Sequence, residues 1–477
     1  MKPHIANGRN ARRRPFGSGL SAFMADRKGS VMPLIGAAFM TVTAAVGVAI
    51  DSGRMMLMHS TLQRSIDAGG LSAVARMGST TLDDDVRKFT AANFNDGYVG
   101  ATITNLTATM SADKKTLTVD AVATAPTAFM SLFGVRTMST KAHTVVERQV
   151  GGLELALVLD NTGSMKGSGL TNLKTAANSL LDILFGDQAV GEKLFVGIVP
   201  FSQSVNVGTN HSNWLVSGSL NKLDWSTTSW GGCVEARLSG GDVTDDTPSA
   251  KPFSPYYWED SAGNDWIVTK GNGKGNGKGN GNNKSPVLNS DLGPNKNCPV
   301  EVTPMTPVKS KLVNAVKAMT AVGNTHINYG AVWGWRMLSP KWRGLWGGDM
   351  DSYKLPLDYG TRNMNKAAVI MTDGENTMTS EVYTAYSWLS DKRLGTNQET
   401  PAVTELNKRL STVCTAMKNA GVIVYTIAFN RPGKSTEDLL RSCATQDSFY
   451  FNSPSGSDLQ NAFQQIGGSL SNLRISR

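Results

Sequence analysis

The sequence predicts an α/β protein: a doubly wound, mostly parallel sheet with large insertions, preceded by a single transmembrane helix and a small α+β module. Three observations carry this reading. Apolar runs at 153–159, 194–201, 366–372 and 421–429 alternate with helical stretches at 170–185, 308–321 and 403–420. Such runs, separated by helices, imply parallel strands covered on both faces. Residues 30–50 carry no charge, and residues 101–147 alternate in polarity as strands do.

At 477 residues, with 40% hydrophobic and 18% charged content, the chain is long enough for two or three folded domains. Its net charge of +9 suggests an acidic partner until its distribution is read. Residues 1–29 carry seven cations (Lys2, Arg9, Arg12, Arg13, Arg14, Arg27 and Lys28) against Asp26, so this tail holds +6 and the other residues only +3. The basic charge is a tail, not a groove, and no nucleic-acid partner is expected.

Ser30–Ile50 follows the tail, 21 uncharged residues that as a helix span roughly 30 Å, the thickness of a bilayer core. The membrane lipid is thus one expected partner. The flanking cations place the N-terminus in the cytoplasm and the rest of the chain across the membrane. A cleaved signal peptide is the rival, since Gly47-Val48-Ala49 is a small-x-small site. The length of the apolar core and the helical character beyond it favour an uncleaved anchor.

Beyond the anchor, residues 51–149 read as a pilin-like helix and small antiparallel sheet. Met55, Met58, Leu62 and Ile66 fall at steps of three and four and make one apolar face, better suited to packing on that sheet than to binding a partner helix. Gly69-Gly70 weakens the helix, at about 1 kcal/mol per glycine relative to alanine. Residues 106–124 read as a hairpin around a polar turn. The α/β domain, 150–477, is interrupted by insertions at 208–306 and 339–363. The first holds Trp214, Trp225, Trp230, Trp258 and Trp266, expected to build a small core of its own. It also holds the loop 271–284, glycine, asparagine and lysine only, which cannot bury anything and lacks the aspartates of a calcium-binding repeat.

The four cysteines, Cys233, Cys298, Cys414 and Cys443, all lie beyond the apolar segment. An even count in an oxidising compartment suggests disulfides, with three connectivities possible. Position favours Cys233–Cys298, both inside one insertion, and Cys414–Cys443. Zinc is the alternative, but there is no C-x-x-C and the five histidines are scattered.

Three motifs compete for the α/β domain. Residues 428–435, AFNRPGKS, fit a loose P-loop pattern between a strand and a helix, yet Pro432 removes a backbone donor that a phosphate cradle needs. An aspartyl phosphotransferase would use Asp160 in DNTGS. The pumps of that class need a lysine where this chain has Asn161, and their soluble relatives a second aspartate where it has Thr162. The third candidate gathers Asp160, Thr162, Ser164, Thr325 and Asp373 at the carboxyl ends of parallel strands, where such sheets place ligands. Two carboxylates and three hydroxyls suit a hard, octahedral cation, Mg²⁺ or Mn²⁺. No G-x-S-x-G surrounds Ser164, so a nucleophilic serine is disfavoured.

The D-x-T-x-S of 160–164, the distant Thr325 and the TDGE of 372–375 resemble the von Willebrand factor A domain and its metal-ion-dependent adhesion site (MIDAS). That resemblance implies that Thr162 and Ser164 bind an ion directly, that Asp160, Thr325 and Asp373 complete its sphere directly or through water, and that a partner's acidic side chain occupies the open position. Thr162 stands where serine is commoner. The start GSVMPLIGAAFM and the run AIDSGRMMLMHSTLQRSIDAGG resemble the TadE/TadG-like anchor of TadG-like proteins of the tight-adherence (Flp) pilus system. This second resemblance implies an inner-membrane protein with a periplasmic A domain and a late cysteine pair at positions like Cys414 and Cys443. Its expected role is non-enzymatic, in pilus assembly or adhesion. Leu34 stands where a pilin carries glutamate, five residues after Gly29, so processing as a pilin is not expected.

Overall fold

Residues 32 to 74 form one unbroken helix, α1 (Met32–Val74), so the apolar segment and the amphipathic stretch after it are a single element. The computed structural model describes residues 31–74, 82–95, 97–111, 116–147, 151–226, 228–269, 284–286, 288 and 292–475. The basic tail 1–29 and all of the 271–284 loop except Lys284 lie outside them. The described chain divides into two compact units, Met1–Arg148 and Gln149–Arg477.

In the first unit, α1 is apolar enough over its N-terminal part to cross a membrane, with a mean hydropathy of 2.0. It exposes Leu34, Phe39, Met40 and Val42 there. Its second half packs on an antiparallel sheet of β1 (Thr102–Met110), β2 (Thr116–Pro126) and β3 (Thr137–Glu147), in that spatial order. The hairpin read from the sequence is therefore two-thirds of a three-stranded sheet. Met58, Leu62 and Ile66 are fully buried with Leu117, Val119, Ala121 and Ala123 of β2. Met55 departs from the expected face and is exposed. A second helix, α2 (Leu82–Asn93), packs on α1, which explains Gly69-Gly70. A β-carbon at Gly69 would come 2.4 Å from Thr90 Oγ1 of α2, and one at Gly70 would come 2.8 Å from Val146 Cγ2 of β3. The glycines let two neighbours approach the helix rather than interrupt it.

The second unit is built on a six-stranded sheet. Its strands are β4 (Gly152–Asp160), β5 (Leu194–Phe201), β6 (Thr303–Thr306), β7 (Met364–Thr372), β8 (Ile423–Phe429) and β9 (Tyr450–Ser453), in the order β6-β5-β4-β7-β8-β9. All neighbours are parallel except β6, antiparallel to β5 at the edge. The period-two alternation of β4 divides its side chains between two cores. Leu153, Leu155, Leu157 and Leu159 meet α3 (Ser168–Phe185), α4 (Lys309–Ala318) and α8 (Gly456–Ile475) on one face. Ala156 and Val158 meet α5 (Ile327–Leu338) and α6 (Glu399–Asn419) on the other. Each buried leucine contributes about 1.5–3 kcal/mol, so the apolar runs that predict these strands also hold the sheet between its helices.

The insertions do not fold apart from this core. Trp214 and Trp230 belong to the same cluster as Trp333 of α5 and Trp342 of the 339–363 segment, and Trp214 stacks on Trp333 at 6.3 Å. The separate tryptophan core expected from the sequence shrinks to a small cluster of Cys233, Tyr256, Trp258 and Tyr383. Cys233 is bonded to Cys298, and Cys414 of α6 to Cys443 at the end of α7 (Lys434–Cys443).

Candidate functional site

β4 and β7 are adjacent and parallel, with Met371 in register with Leu159. The residues that follow, Asp160 and Thr372-Asp373, therefore emerge side by side at their carboxyl ends. Asp160 is fully buried. Its Oδ1 accepts the backbone N–H of Thr162 at 2.8 Å, and its Oδ2 accepts the Thr372 hydroxyl at 2.6 Å. The turn after β4 is fixed by Asn161, whose N–H donates to Phe201 O at 2.8 Å, and by Gly163, whose N–H donates to Gly323 O at 2.8 Å. This geometry brings the Thr162 and Ser164 hydroxyls together and aims Ser164 at Asp373. Thr162 Oγ1 and Ser164 Oγ are 3.0 Å apart, and Ser164 donates to Asp373 Oδ1 at 2.6 Å.

Thr325 reaches the same place from the loop before α5. A β-carbon on Gly374 would lie 3.6 Å from Thr325 Oγ1 and 3.8 Å from Ser164 Oγ, so both hydroxyls border Gly374. The five residues singled out from the sequence are thus neighbours in space, drawn from three separate segments.

The electrostatics of the group are unusual for a folded interior. Burial, and then the charge of Asp373, push the Asp160 carboxyl up from an ordinary 3.8 to about 7. Burial also raises Asp373, against the hydrogen bond from Ser164, which lowers it. Two carboxylates held together in a poorly solvated pocket repel, and either a proton or a cation removes that cost. The donor set is oxygen only: two carboxylates and three hydroxyls, the chemistry of a hard divalent ion. These residues fit such an ion. Among the described residues, no group of three or more His, Cys, Asp or Glu side chains could hold a metal ion, and this site itself contributes only two carboxylates.

Several supporting residues escape sequence reasoning. Thr325 N–H donates to Thr377 Oγ1 at 3.0 Å, Thr377 N–H returns a bond to Thr325 O at 2.9 Å, and Ile327 N–H donates to Asn376 Oδ1 at 2.8 Å. His326 is buried, and burial lowers its pKa to about 4, so its neutral ring donates through Nε2 to Thr377 O at 3.0 Å. Gln203 Oε1 accepts the N–H of Asn324 at 2.7 Å, tying the loop after β5 to the loop that carries Thr325. Only Thr372, one residue before the TDGE aspartate, had a visible signal in the sequence.

The P-loop-like segment 428–435 takes a different shape from a phosphate cradle. A β-carbon at Gly433 would meet Glu375 Oε1 at 2.8 Å, and Lys434 pairs with Asp438. A carboxylate stands where phosphate would need donors, and the lysine is turned along its own helix.

No protein-family model matches the chain, and no curated protein matches it. Solved structures do. The vWF domain of the type V pili tip protein Mfa5 from Porphyromonas gingivalis is similar at 10% identity and a TM-score of 0.35, over 69% of this chain and 97% of that one. The pilus adhesin SpaC from Lactobacillus rhamnosus GG is similar at 10% identity and a TM-score of 0.35, over 78% of this chain and 34% of that one. Proximal thread matrix protein 1 from the mussel byssus, with a zinc-occupied MIDAS motif, is similar at 11% identity and a TM-score of 0.30, over 68% of this chain and 47% of that one. This chain spans less than half the length of the last two.

Proposed function

We propose that the chain is a membrane-anchored, periplasmic component of Flp/Tad-type pilus assembly or adhesion, and that it captures an acidic side chain of a partner protein through a divalent cation. The observation that carries the reading is the buried pair Asp160 and Asp373, ringed by Thr162, Ser164 and Thr325, with each carboxyl raised by its surroundings. Mg²⁺ or Mn²⁺ would be held by these five residues. When bound, it would supply a Lewis-acidic centre able to accept a partner's carboxylate. The chain's own part is to keep the ligands oriented: Thr372 and the Thr162 N–H fix both oxygens of Asp160, and the Thr325–Thr377 exchange fixes the loop. α1 would serve as the anchor, with the N-terminus cytoplasmic.

The test is thermal unfolding of the detergent-solubilised full chain with and without millimolar Mg²⁺ or Mn²⁺. The wild type gains stability with metal, and Asp160→Ala gains none; an equal gain in both removes the site assignment. Capture of partner proteins from the native membrane, with and without chelator, then tests the adhesive role.

One observation favours a second reading, a structural scaffold that works without metal. The hydroxyls of Ser164 and Thr372 and the backbone N–H of Thr162 already donate to the two carboxylates from within the chain. Under that reading an Asp160→Ala/Asp373→Ala double variant keeps full function in the cell.

A further inference from the structure

The connection between β2 and β3, residues 127–136 (TAFMSLFGVR), is apolar where a water-facing loop is ordinarily polar. It contains a short turn at Met130–Phe133 and exposes Phe129, Leu132, Phe133 and Val135, with Leu132 at 74%. The exposure is imposed by the backbone. The Asp51 carboxylate accepts three successive N–H groups of this turn, from Ala128 at 2.8 Å, Phe129 at 3.0 Å and Met130 at 2.8 Å. Arg54 braces the arrangement, with Nη1 3.3 Å from both Asp51 Oδ1 and Pro126 O. The turn is therefore built to present its apolar side chains outward.

Its position says what they face. A β-carbon on Gly47 of α1 would come 2.8 Å from Phe129 Cβ, so the turn lies against the helix three residues inside the apolar segment that ends at Ile50. Val46, Val48 and Ile50 are exposed on the helix at that level. Whatever solvent covers them also covers the turn. Burying such side chains is worth about 25 cal/mol per Å² of apolar surface. The polar groups lie on the other side of this level. Asp51 and Arg54 follow the apolar segment, and Arg54 Nη2 donates to Val99 O at 2.7 Å, beside the half-exposed ring of Tyr98. Aromatic rings and long cations of this kind sit at the headgroup boundary.

We propose that the 127–136 turn is a second membrane contact, inserted into the lipid leaflet that surrounds the C-terminal end of the 30–50 segment. A single helix is free to tilt and to rotate about its axis; a second insertion beside it fixes both. The small sheet is then held at a set height and orientation on the membrane.

This inference rests on reading 30–50 as a membrane anchor, and the experiment separates the two. The four native cysteines are disulfide-bonded, so a nitroxide reagent reacts only with a new thiol. Full-length Leu132→Cys, Val46→Cys and Glu147→Cys variants are labelled and reconstituted into phosphatidylethanolamine/phosphatidylglycerol vesicles. Collision with oxygen, which partitions into lipid, is compared with collision with a water-soluble nickel complex. Glu147 lies at the opposite end of β3, roughly 30 Å from the turn at ~3.3 Å per strand residue. Expected is an oxygen-to-nickel ratio at Leu132 that matches Val46 and exceeds Glu147 several-fold. If Leu132 behaves like Glu147 while Val46 stays lipid-like, the turn is in water and the inference fails although the anchor stands. A label at Leu132 shielded from both probes means that protein covers the turn, which also overturns it. If Val46 and Leu132 both behave like Glu147, the anchor reading itself falls, and this inference with it.

Discussion

Strand β4 carries a buried carboxylate near each end, and the two are treated in opposite ways. Glu154, near its start, is paired with Lys366 of the neighbouring β7, and its Oε1 also accepts the Leu357 N–H at 2.8 Å. Lys366 in turn donates to Leu338 O at 2.9 Å. Asp160, at the other end, has a second carboxylate for a neighbour and only neutral donors around it. A charge that serves the fold is neutralised by the fold. Under the proposed function, a charge left beside its like is held for a cation from outside.

The largest expected effect lies at the paired end. Lys366→Met leaves Glu154 buried without its cation, and breaking a buried pair from one side costs about 3–5 kcal/mol. Denaturant unfolding should show that loss. Replacing both partners, Glu154→Leu with Lys366→Met, should recover most of it, because no orphaned charge remains. A single variant as stable as wild type would break the comparison, since Glu154 would then need its lysine no more than Asp160 does.

At the unpaired end the same kind of change should act in reverse. Without metal, Asp160→Asn removes a like-charge repulsion and should leave stability unchanged or raised. With metal at a hundred times its dissociation constant, wild type gains about 2.7 kcal/mol that the variant lacks. The pH dependence follows from the raised carboxyl. A group whose folded pKa exceeds its unfolded one contributes stability that is complete below the unfolded value and is lost as pH rises through the folded value. Metal-free wild type should therefore lose stability relative to Asp160→Asn as pH rises from about 3.8 through about 7. Melting temperatures of the two proteins across that range, in chelator, measure it. A constant difference would mean that Asp160 does not titrate in that window.

How much of this was readable in advance depends on how far each interaction reaches along the chain. The sheet was legible because each strand advertises its own burial: Leu153–Leu159 carries leucine at every second position on one face, with Ala156 and Val158 beside the paired Glu154 on the other. The five residues that converge beyond β4 and β7 were legible because three short stretches carry them. Their supports were not, since Thr377, Asn376 and Gln203 act through backbone bonds to loops far off in sequence. Gly69-Gly70 misled for the same reason. Local propensity counts a glycine in a helix as a loss, whereas its purpose here is contact with Thr90 and Val146. Trp214 and Trp230 looked like the core of an insertion because their partner, Trp333, lies about a hundred residues downstream.

The smallest effect is the most discriminating about roles within the unpaired end. Ser164 does two things in the metal-free chain: it donates to Asp373 Oδ1 at 2.6 Å and shares a hydrogen bond with Thr162 Oγ1 at 3.0 Å. Ser164→Ala removes both and should cost about 1 kcal/mol of metal-free stability, the usual worth of a hydrogen bond. If Ser164 is also a ligand, metal affinity should fall by about tenfold, or ~1.4 kcal/mol, measured by the rise of melting temperature with metal concentration. Thr372→Val provides the contrast, because it removes the hydroxyl that donates to Asp160 Oδ2 without touching the other four residues. If Ser164→Ala lowers stability but leaves the metal response intact, the serine only spaces the carboxylates. The hydroxyls would then belong with Lys366, among the groups that serve the fold.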